Sequence, residues 1–340
     1  MATPESTDMT SSPTWAVVAL VDEPAPLVAA FARHHLALGA SEVHLFLDRP
    51  DPEADRLLSG LSGCRLTVLD QAFWDATNRG RRPERHTGRQ RFVSTRIYRQ
   101  TSCDWLLHCD ADEFVSDRAA LSAALASADR SKGLVLRNRE RVYLAGDPGM
   151  HLFGGAFRTP VDFPDADAAA VYGDFARYLA HGLTGHRVGK TIVPTGHDWE
   201  MGVHHPKLPG PDRITPDLAR APGRMLLHFD GLTPLHYALK LLRKAFENYS
   251  GPKRQIGAAR ERQYRFVRSH AGQPEEVMAL VRGVQQLDAR QAAMLDALGV
   301  LDTAPFRPRD CDGLDLGRTG FDALLRHREA ALFRTAGFDM

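Results

Sequence analysis

A chain of 340 residues is long enough for one large domain, or for a domain with a sizeable addition. Its 43 Lys and Arg nearly balance 42 Asp and Glu, and 43% of its residues are hydrophobic and 25% charged. That composition belongs to a globular chain, with no global field to draw it to nucleic acid or to a membrane surface.

The opening MATPESTDMTSSPT is polar and lacks the apolar core of a secretory signal, so residues 1–13 are expected to be a disordered tail. WAVVALV (15–21) is a continuous apolar run and predicts a buried strand ending at Asp22-Glu23-Pro24. Residues 25–38 carry apolar side chains at helical spacing, closed by Gly39. EVHLFLD predicts a second strand ending at Asp48, residues 51–61 a helix, and CRLTVLD a third strand ending at Asp70. Strand, helix, strand, helix, strand is a βαβ series with a parallel sheet. The Arg-rich stretch from Arg79 holds a helix over 85–101, which reads either as a solvated face or as a contact for anionic groups. DWLLHCDADEFV then supplies a fourth strand ending at Asp110, and a short helix spans 119–127. GLVLRNRERVYL is a further strand with a candidate hairpin partner. Residues 146–224 are Gly-, Pro- and His-rich, with HRVGKTIVPTG standing out as strand-like. From Thr233 the pattern turns helical: one helix over 235–249, and one long amphipathic helix over 274–299. No apolar run reaches the ~18 residues of a spanning helix, so any membrane contact is expected to be peripheral. Cys64, Cys103, Cys109 and Cys311 form no C-x-x-C pair and read as reduced thiols of a cytoplasmic chain.

In a parallel α/β sheet, ligands bind beyond the carboxyl ends of the strands. Acids fall at several such ends: Asp22 and Glu23, Asp48, and Asp110 with Asp112. Residues two apart on an extended strand share a face, so Asp110 and Asp112 converge if extended geometry persists through Ala111. Two readings stand side by side: a charged strand end facing water, or a site for a hard divalent cation such as Mg2+ or Mn2+. Glu113 would point away from Asp112 and support the loop rather than bind metal.

Four stretches resemble the nucleotide-sugar glycosyltransferases of the GT-A fold, in their family-2-like bacterial branch. They are VDEPAPLVAAFARHHLALGASEVHLFLD, DWLLHCDADEFV with its W-x-x-x-x-D-x-D-E-F pattern, VGKTIVPTGHDWEMGVHHP, and LLHFDGLTPLHYALKLLRK, together covering about residues 15–245. The resemblance implies a GT-A-like, Rossmann-related, mostly parallel sheet flanked by helices over residues 14–232, with a helical C-terminal extension over 233–340 packed on it. It implies a metal held by Asp112 and His228, with Asp110 beside it or on the ribose. It also implies Asp22, Glu23 and Asp48 around the nucleotide, and Lys190 against phosphate. A departure is VDE where relatives carry a basic residue and Asn before the Glu, which bears on base recognition.

The implied activity is transfer of a sugar, with inversion, from a nucleoside-diphosphate donor to a glycan, lipid-linked or other hydroxyl acceptor. No nucleic-acid partner is expected, and the chain would work in the cytoplasm, at most peripheral to the inner face of the membrane. Departure of the diphosphate calls for a Lewis acid, and an acceptor hydroxyl calls for a base. Asp230, Asp198 and Glu200 are the candidate bases, with Asp230 and Asp198 preferred; Asp230 reads equally as a helix cap. Two rivals remain. One is a haloacid-dehalogenase-like phosphatase or phosphotransferase, whose D-x-D would end the first strand instead of the fourth. The other is a non-catalytic nucleotide-sugar-binding protein.

Overall fold

A computed structural model describes residues 12–146, 149–247 and 257–338. The expected tail over 1–13 lies almost wholly outside the described residues. The chain is mixed α/β, with a parallel-rich sheet flanked by helices. It opens with β1 (Trp15–Val21), α1 (Ala25–Ala37), β2 (Glu42–Leu47), α2 (Pro52–Leu58), β3 (Cys64–Val68), α3 (Gln71–Asn78), α4 (His86–Tyr98) and β4 (Trp105–His108). These elements follow the pattern read from the sequence, with α3 added: Asp70 ends no ligand site but caps α3, its carboxylate accepting the Phe73 N–H at 2.8 Å. The middle of the chain holds β5 (Glu113–Val115), α5 (Arg118–Ser127), β6 (Gly133–Leu136), β7 (Asn138–Leu144), β8 (Ala156–Arg158), α6 (Asp165–Tyr172), a 3-10 turn (Gly173–Tyr178), β9 (Lys190–Pro194), β10 (Leu218–Arg220) and β11 (Leu226–His228). The remainder is α7 (Pro234–Ala245), α8 (Ala258–Ser269), α9 (Pro274–Gln285), β12 (Gln286–Leu287), α10 (Ala289–Ala297), β13 (Leu301–Asp302), α11 (Arg318–Arg328) and α12 (Ala330–Thr335).

The first sheet runs in the order β10-β6-β9-β4-β1-β2-β3. β4, β1, β2 and β3 are parallel to one another, while β9 is antiparallel to both its neighbours, β4 and β6. Alternation along β1 divides the core. Trp15, Val17, Ala19 and Val21 pack with α1, whereas Ala16, Val18 and Leu20 pack with Trp74 of α3 and with Val93 and Ile97 of α4. Both faces of the strand are therefore apolar, which is why it reads as an unbroken hydrophobic run.

GLVLRNRERVYL is not one strand. It divides at Arg137, so that β6 joins the first sheet and β7 a second one, ordered β13-β8-β7-β11-β5. The second sheet draws in the C-terminal segment, since β13 pairs with β8 and β12 with β7. Among the described residues, the regular elements after residue 233 are helices and two short strands. The single helix expected over 274–299 is also broken. Gln286 and Leu287 leave the helical path to pair with Tyr143 and Leu144, and Asp288 starts a new helix with a capping box to Gln291 (2.7 and 2.9 Å). Asp288→Ala is expected to cost about 1 kcal/mol, read as a drop of roughly 2–4 °C in Tm.

Candidate functional site

The chain passes from β1 outward to β3, then returns to lay β4 on the other side of β1. The crevice between the carboxyl ends of β1 and β4 is therefore the topological switch point, where open α/β sheets bind ligands. Asp22-Glu23 lies on one side of it and Asp110 to Glu113 on the other. The antiparallel β9 begins on this same edge, because Ile192 pairs with Leu107 near the end of β4. Gly189 turns the chain into β9 with φ +67°, and a Cβ there would lie 2.1 Å from the Leu136 carbonyl oxygen, so the entry to Lys190 admits only glycine.

Extended geometry does not persist through Ala111. The Glu113 N–H donates to the Asp110 carbonyl at 2.9 Å, closing a turn that sends the two aspartates to different partners. Asp110 accepts from Lys190 Nζ at 2.7 Å and from Gln90 at 2.5 Å. Asp112 accepts from Lys240 of α7 and lies 4.0 Å from His228 Nε2. Glu113 supports the loop as expected, with Oε2 accepting the Asp110 N–H at 2.9 Å, but it also ion-pairs with Lys190 at 3.2 Å.

The second sheet builds the rest of the site in one transverse row. Register places His228 of β11 opposite Glu113 of β5 and opposite Glu140 of β7, and Glu140 opposite Arg158 of β8. Residues in register on neighbouring strands share a face, so an acid, an imidazole, an acid and a guanidinium line up, all buried. Glu140 binds Arg158 at 2.8 Å and accepts the N–H groups of Thr184 and Gly185, each at 2.7 Å. This fastens the segment that presents His186, whose carbonyl is held by Asn138 at 2.7 Å. Gly185 touches the row itself: a Cβ there would sit 2.9 Å from His228 and 3.0 Å from Glu140. Asp230, just past β11, accepts from Thr184 (2.9 Å), Lys240 (3.2 Å) and Arg260 of α8 (2.5 Å). Two sets of ligand atoms result, each within 4.8 Å of one another: Asp112, His228 and Asp230, and Glu113, His186 and His228.

Six carboxylates here (Glu23, Asp110, Asp112, Glu113, Glu140 and Asp230) face five cations, Lys190, Lys240, Arg158, Arg260 and, at Glu23, Arg243. The imbalance appears as proton affinity. Burial, then the Asp112 charge, raises Glu23, and burial pushes Glu113 up to about 6 against the pull of Lys190. Burial also opposes ionisation of Asp110 and Asp230, but Lys190 outweighs it at Asp110, and Arg260 with Lys240 outweigh it at Asp230, holding both well below the usual carboxylate range. The histidines are driven neutral by burial: His108 to about 4 and His204 to about 3, each with a contribution from Lys190, and His186 well below its ordinary value.

The structure thus brings together Asp110, Asp112, Lys190, His228, Asp230 and Glu23. It separates others. Asp48 gives both oxygens to Arg89 (2.8 and 2.6 Å) and one also to Arg82 (2.7 Å), so it secures the basic stretch to the sheet instead of facing a nucleotide. Asp22 lies in an ion-pair network with Arg49, Arg243 and Arg328. Asp198 lies away from this edge. It follows β9 beyond Pro194, which pairs with Trp105 at the amino end of β4, a full strand away from the carboxyl edge. Glu200 is paired with Arg213 at 3.1 Å, where Arg91, Arg96 and Arg99 line a cleft of about 560 Å3. Asp230 is no helix cap, since Thr233 caps α7 by accepting the His236 N–H at 3.0 Å. Sequence reading did not place Glu140, His186, Lys240 or Arg260 in the site. Lys240 carried a signal as part of the basic helix in LLHFDGLTPLHYALKLLRK, which reads as a surface face or as a contact for anionic lipid or acceptor phosphate, and Glu140 as the acid in the charged NRER run that opens a buried strand.

No protein-family model and no curated protein matches the sequence. Among solved structures, the chain is similar to a nucleotidyl transferase from Methanothermobacter thermautotroptrophicus at 17% identity and a TM-score of 0.27, over 41% of this chain and 68% of that one. It is similar to glucosyl-3-phosphoglycerate synthase from Mycobacterium tuberculosis, in complex with Mn2+, uridine diphosphate and phosphoglyceric acid, at 12% identity and a TM-score of 0.26; the match covers 41% of this chain and 45% of that one. A third is mannose-1-phosphate geranyltransferase from Thermus thermophilus, at 15% identity, a TM-score of 0.27, and 53% and 56% coverage. The chain spans less than two thirds of the length of the last two. Function has to be read from this chain's own residues.

Proposed function

We propose that the protein transfers a sugar from a nucleoside-diphosphate donor to a hydroxyl acceptor, assisted by Mg2+ or Mn2+. The observation that carries this reading is the convergence of Asp112, His228 and Asp230 at the switch-point edge, their ligand atoms within 4.8 Å of one another. Two carboxylates and an imidazole suit a hard or borderline divalent ion, and such an ion would balance the local excess of carboxylate. Among the described residues the buried His228 Nδ1 has no hydrogen-bond partner, its nearest acid being Glu140 at 3.9 Å. A cation on these residues would supply Lewis-acid stabilisation to the departing diphosphate.

The chain's own cations do the rest of the charge work. Lys190 is fully buried beside Asp110, and Lys240 and Arg260 approach from α7 and α8, so the C-terminal segment belongs to the site. Positive groups fixed at the place where negative charge develops need no reorganisation during reaction. Asp230 is poorly suited to accept a proton, because Arg260 and Lys240 hold it ionised. Glu23 is better suited. Its carboxyl is raised by burial and by Asp112, it has no ion-pair partner within 4 Å among the described residues, and it stands at the switch point. We assign it the base role. Glu23→Gln is expected to lower kcat about 100-fold with donor KM little changed.

The test of the whole reading is release of nucleoside diphosphate from a panel of nucleotide sugars with Mn2+ and simple alcohol or glycan acceptors. Turnover with one donor, unaltered in Asp198→Asn, is the expected result. Binding without turnover on any donor would make this a binding protein, and inorganic phosphate released from phosphoesters would make it a phosphatase.

A further inference from the structure

Beside the Asp112 set lies a second group of ligand atoms, of which the proposed sugar transfer uses only His228. Glu113 is fully buried on β5, and its two oxygens are treated differently. Oε2 is occupied by the Asp110 N–H and by Lys190, whereas Oε1 has no hydrogen-bond partner and lies 3.8 Å from His186 Nε2. The His186 and His228 rings stack with centroids 5.2 Å apart and planes 23° from parallel, and Nδ1 of each has no hydrogen-bond partner, that of His228 lying 3.9 Å from Glu140 Oε2. Buried polar atoms are nearly always paired, so three orphans on three converging side chains call for an explanation.

The surroundings hold these side chains in place. Glu113 and His228 are fixed by register on adjacent strands, and His186 by Asn138 on its carbonyl and by the Glu140 clasp on Thr184 and Gly185. The Asp112 set differs in this respect. Lys240 already bridges Asp112 and Asp230, and Arg260 binds Asp230, so protein cations stand beside those carboxylates. Among the described residues no cation lies against Glu113 Oε1. Two imidazoles and one carboxylate form the donor set of zinc-class sites that keep a fourth position open. Bonds of about 2.1 Å need ligand atoms about 3.4 Å apart, so atoms within 4.8 Å require only side-chain adjustment. His186 is 29% exposed, which leaves an entry path.

We propose that the protein binds a transition-metal ion of the zinc class at Glu113, His186 and His228. The site stands apart from the Asp112 and Asp230 pair and shares only His228 with it. It rests on these residues alone, independently of the sugar-transfer reading.

Titration of the full-length protein with Co2+, followed by its visible absorption and by competition with Zn2+, tests the site without any nucleotide. Wild type is expected to develop d–d bands of low-symmetry, nitrogen-ligated Co2+ at one equivalent. His186→Ala and Glu113→Gln, checked for folding by circular dichroism, are expected to lose at least about 100-fold in affinity, more than outer-shell changes cost. Asp112→Asn is expected to keep the bands. No Co2+ spectrum in wild type, or a spectrum indifferent to His186→Ala and Glu113→Gln but lost in Asp112→Asn, overturns the proposal. Co2+ binding without nucleotide turnover would keep this site and defeat the transferase reading; turnover without the Co2+ site would do the reverse.

Discussion

Glu140→Leu is expected to be the most destabilising single substitution at the site, by about 4–5 kcal/mol or more. Glu140 is fully buried and is the ion-pair partner of Arg158, itself only 1% exposed. Leucine matches its bulk but leaves a guanidinium and the amides of Thr184 and Gly185 without their acceptor. Breaking a buried pair from one side costs about 3–5 kcal/mol, and each stranded amide adds roughly 1–3. Whole domains are stable by only about 5–15 kcal/mol, so the variant should be largely unfolded or close to it. Urea denaturation measures this. The double variant Glu140→Leu/Arg158→Leu should recover part of the loss, because it removes the unpaired charge as well. A single variant within about 1 kcal/mol of wild type would show that the row does not hold the second sheet together.

Asp112→Asn should abolish catalysis while sparing the fold. The change keeps the shape of the side chain and removes one charge from a set that holds an excess of carboxylates. Lys240 retains Asp230 as a partner, so no cation is left alone. In the proposed sugar transfer, the loss would fall on cation affinity and on stabilisation of the leaving diphosphate. Electrostatic groups of this kind are worth several kcal/mol at the transition state, so nucleoside diphosphate release should fall about 1000-fold. The Tm should remain within a few degrees of wild type. Undiminished turnover in a folded Asp112→Asn protein would remove the acidic set from the mechanism.

Legibility in the sequence followed the range of the interactions. β1 and most of β4 were readable because strands buried on both faces are apolar at nearly every position, β2 and the partly exposed edge strand β3 because apolar residues recur at every second position, and α1 because its apolar spacing matches its own helical period. The single helix expected over 274–299 failed at Gln286, where pairing with the distant Tyr143 and Leu144 outweighed local propensity. The acids at strand ends were visible, but not their engagement. Asp48 reads like Asp110 in the sequence, yet Arg89 closes the first and Lys190 the second.

The sequence by itself determined that a parallel sheet would gather carboxylates at one edge, because strand periodicity and chain order are local and directional. The tertiary structure decided which of those carboxylates share a site. That depended on β11 lying between β5 and β7, which aligns Glu113, His228 and Glu140 from positions up to 115 residues apart. It depended also on α7 and α8 bringing Lys240 and Arg260 back over the edge. Cross-strand register and helix docking are set by long-range packing, and no spacing within the chain encodes them.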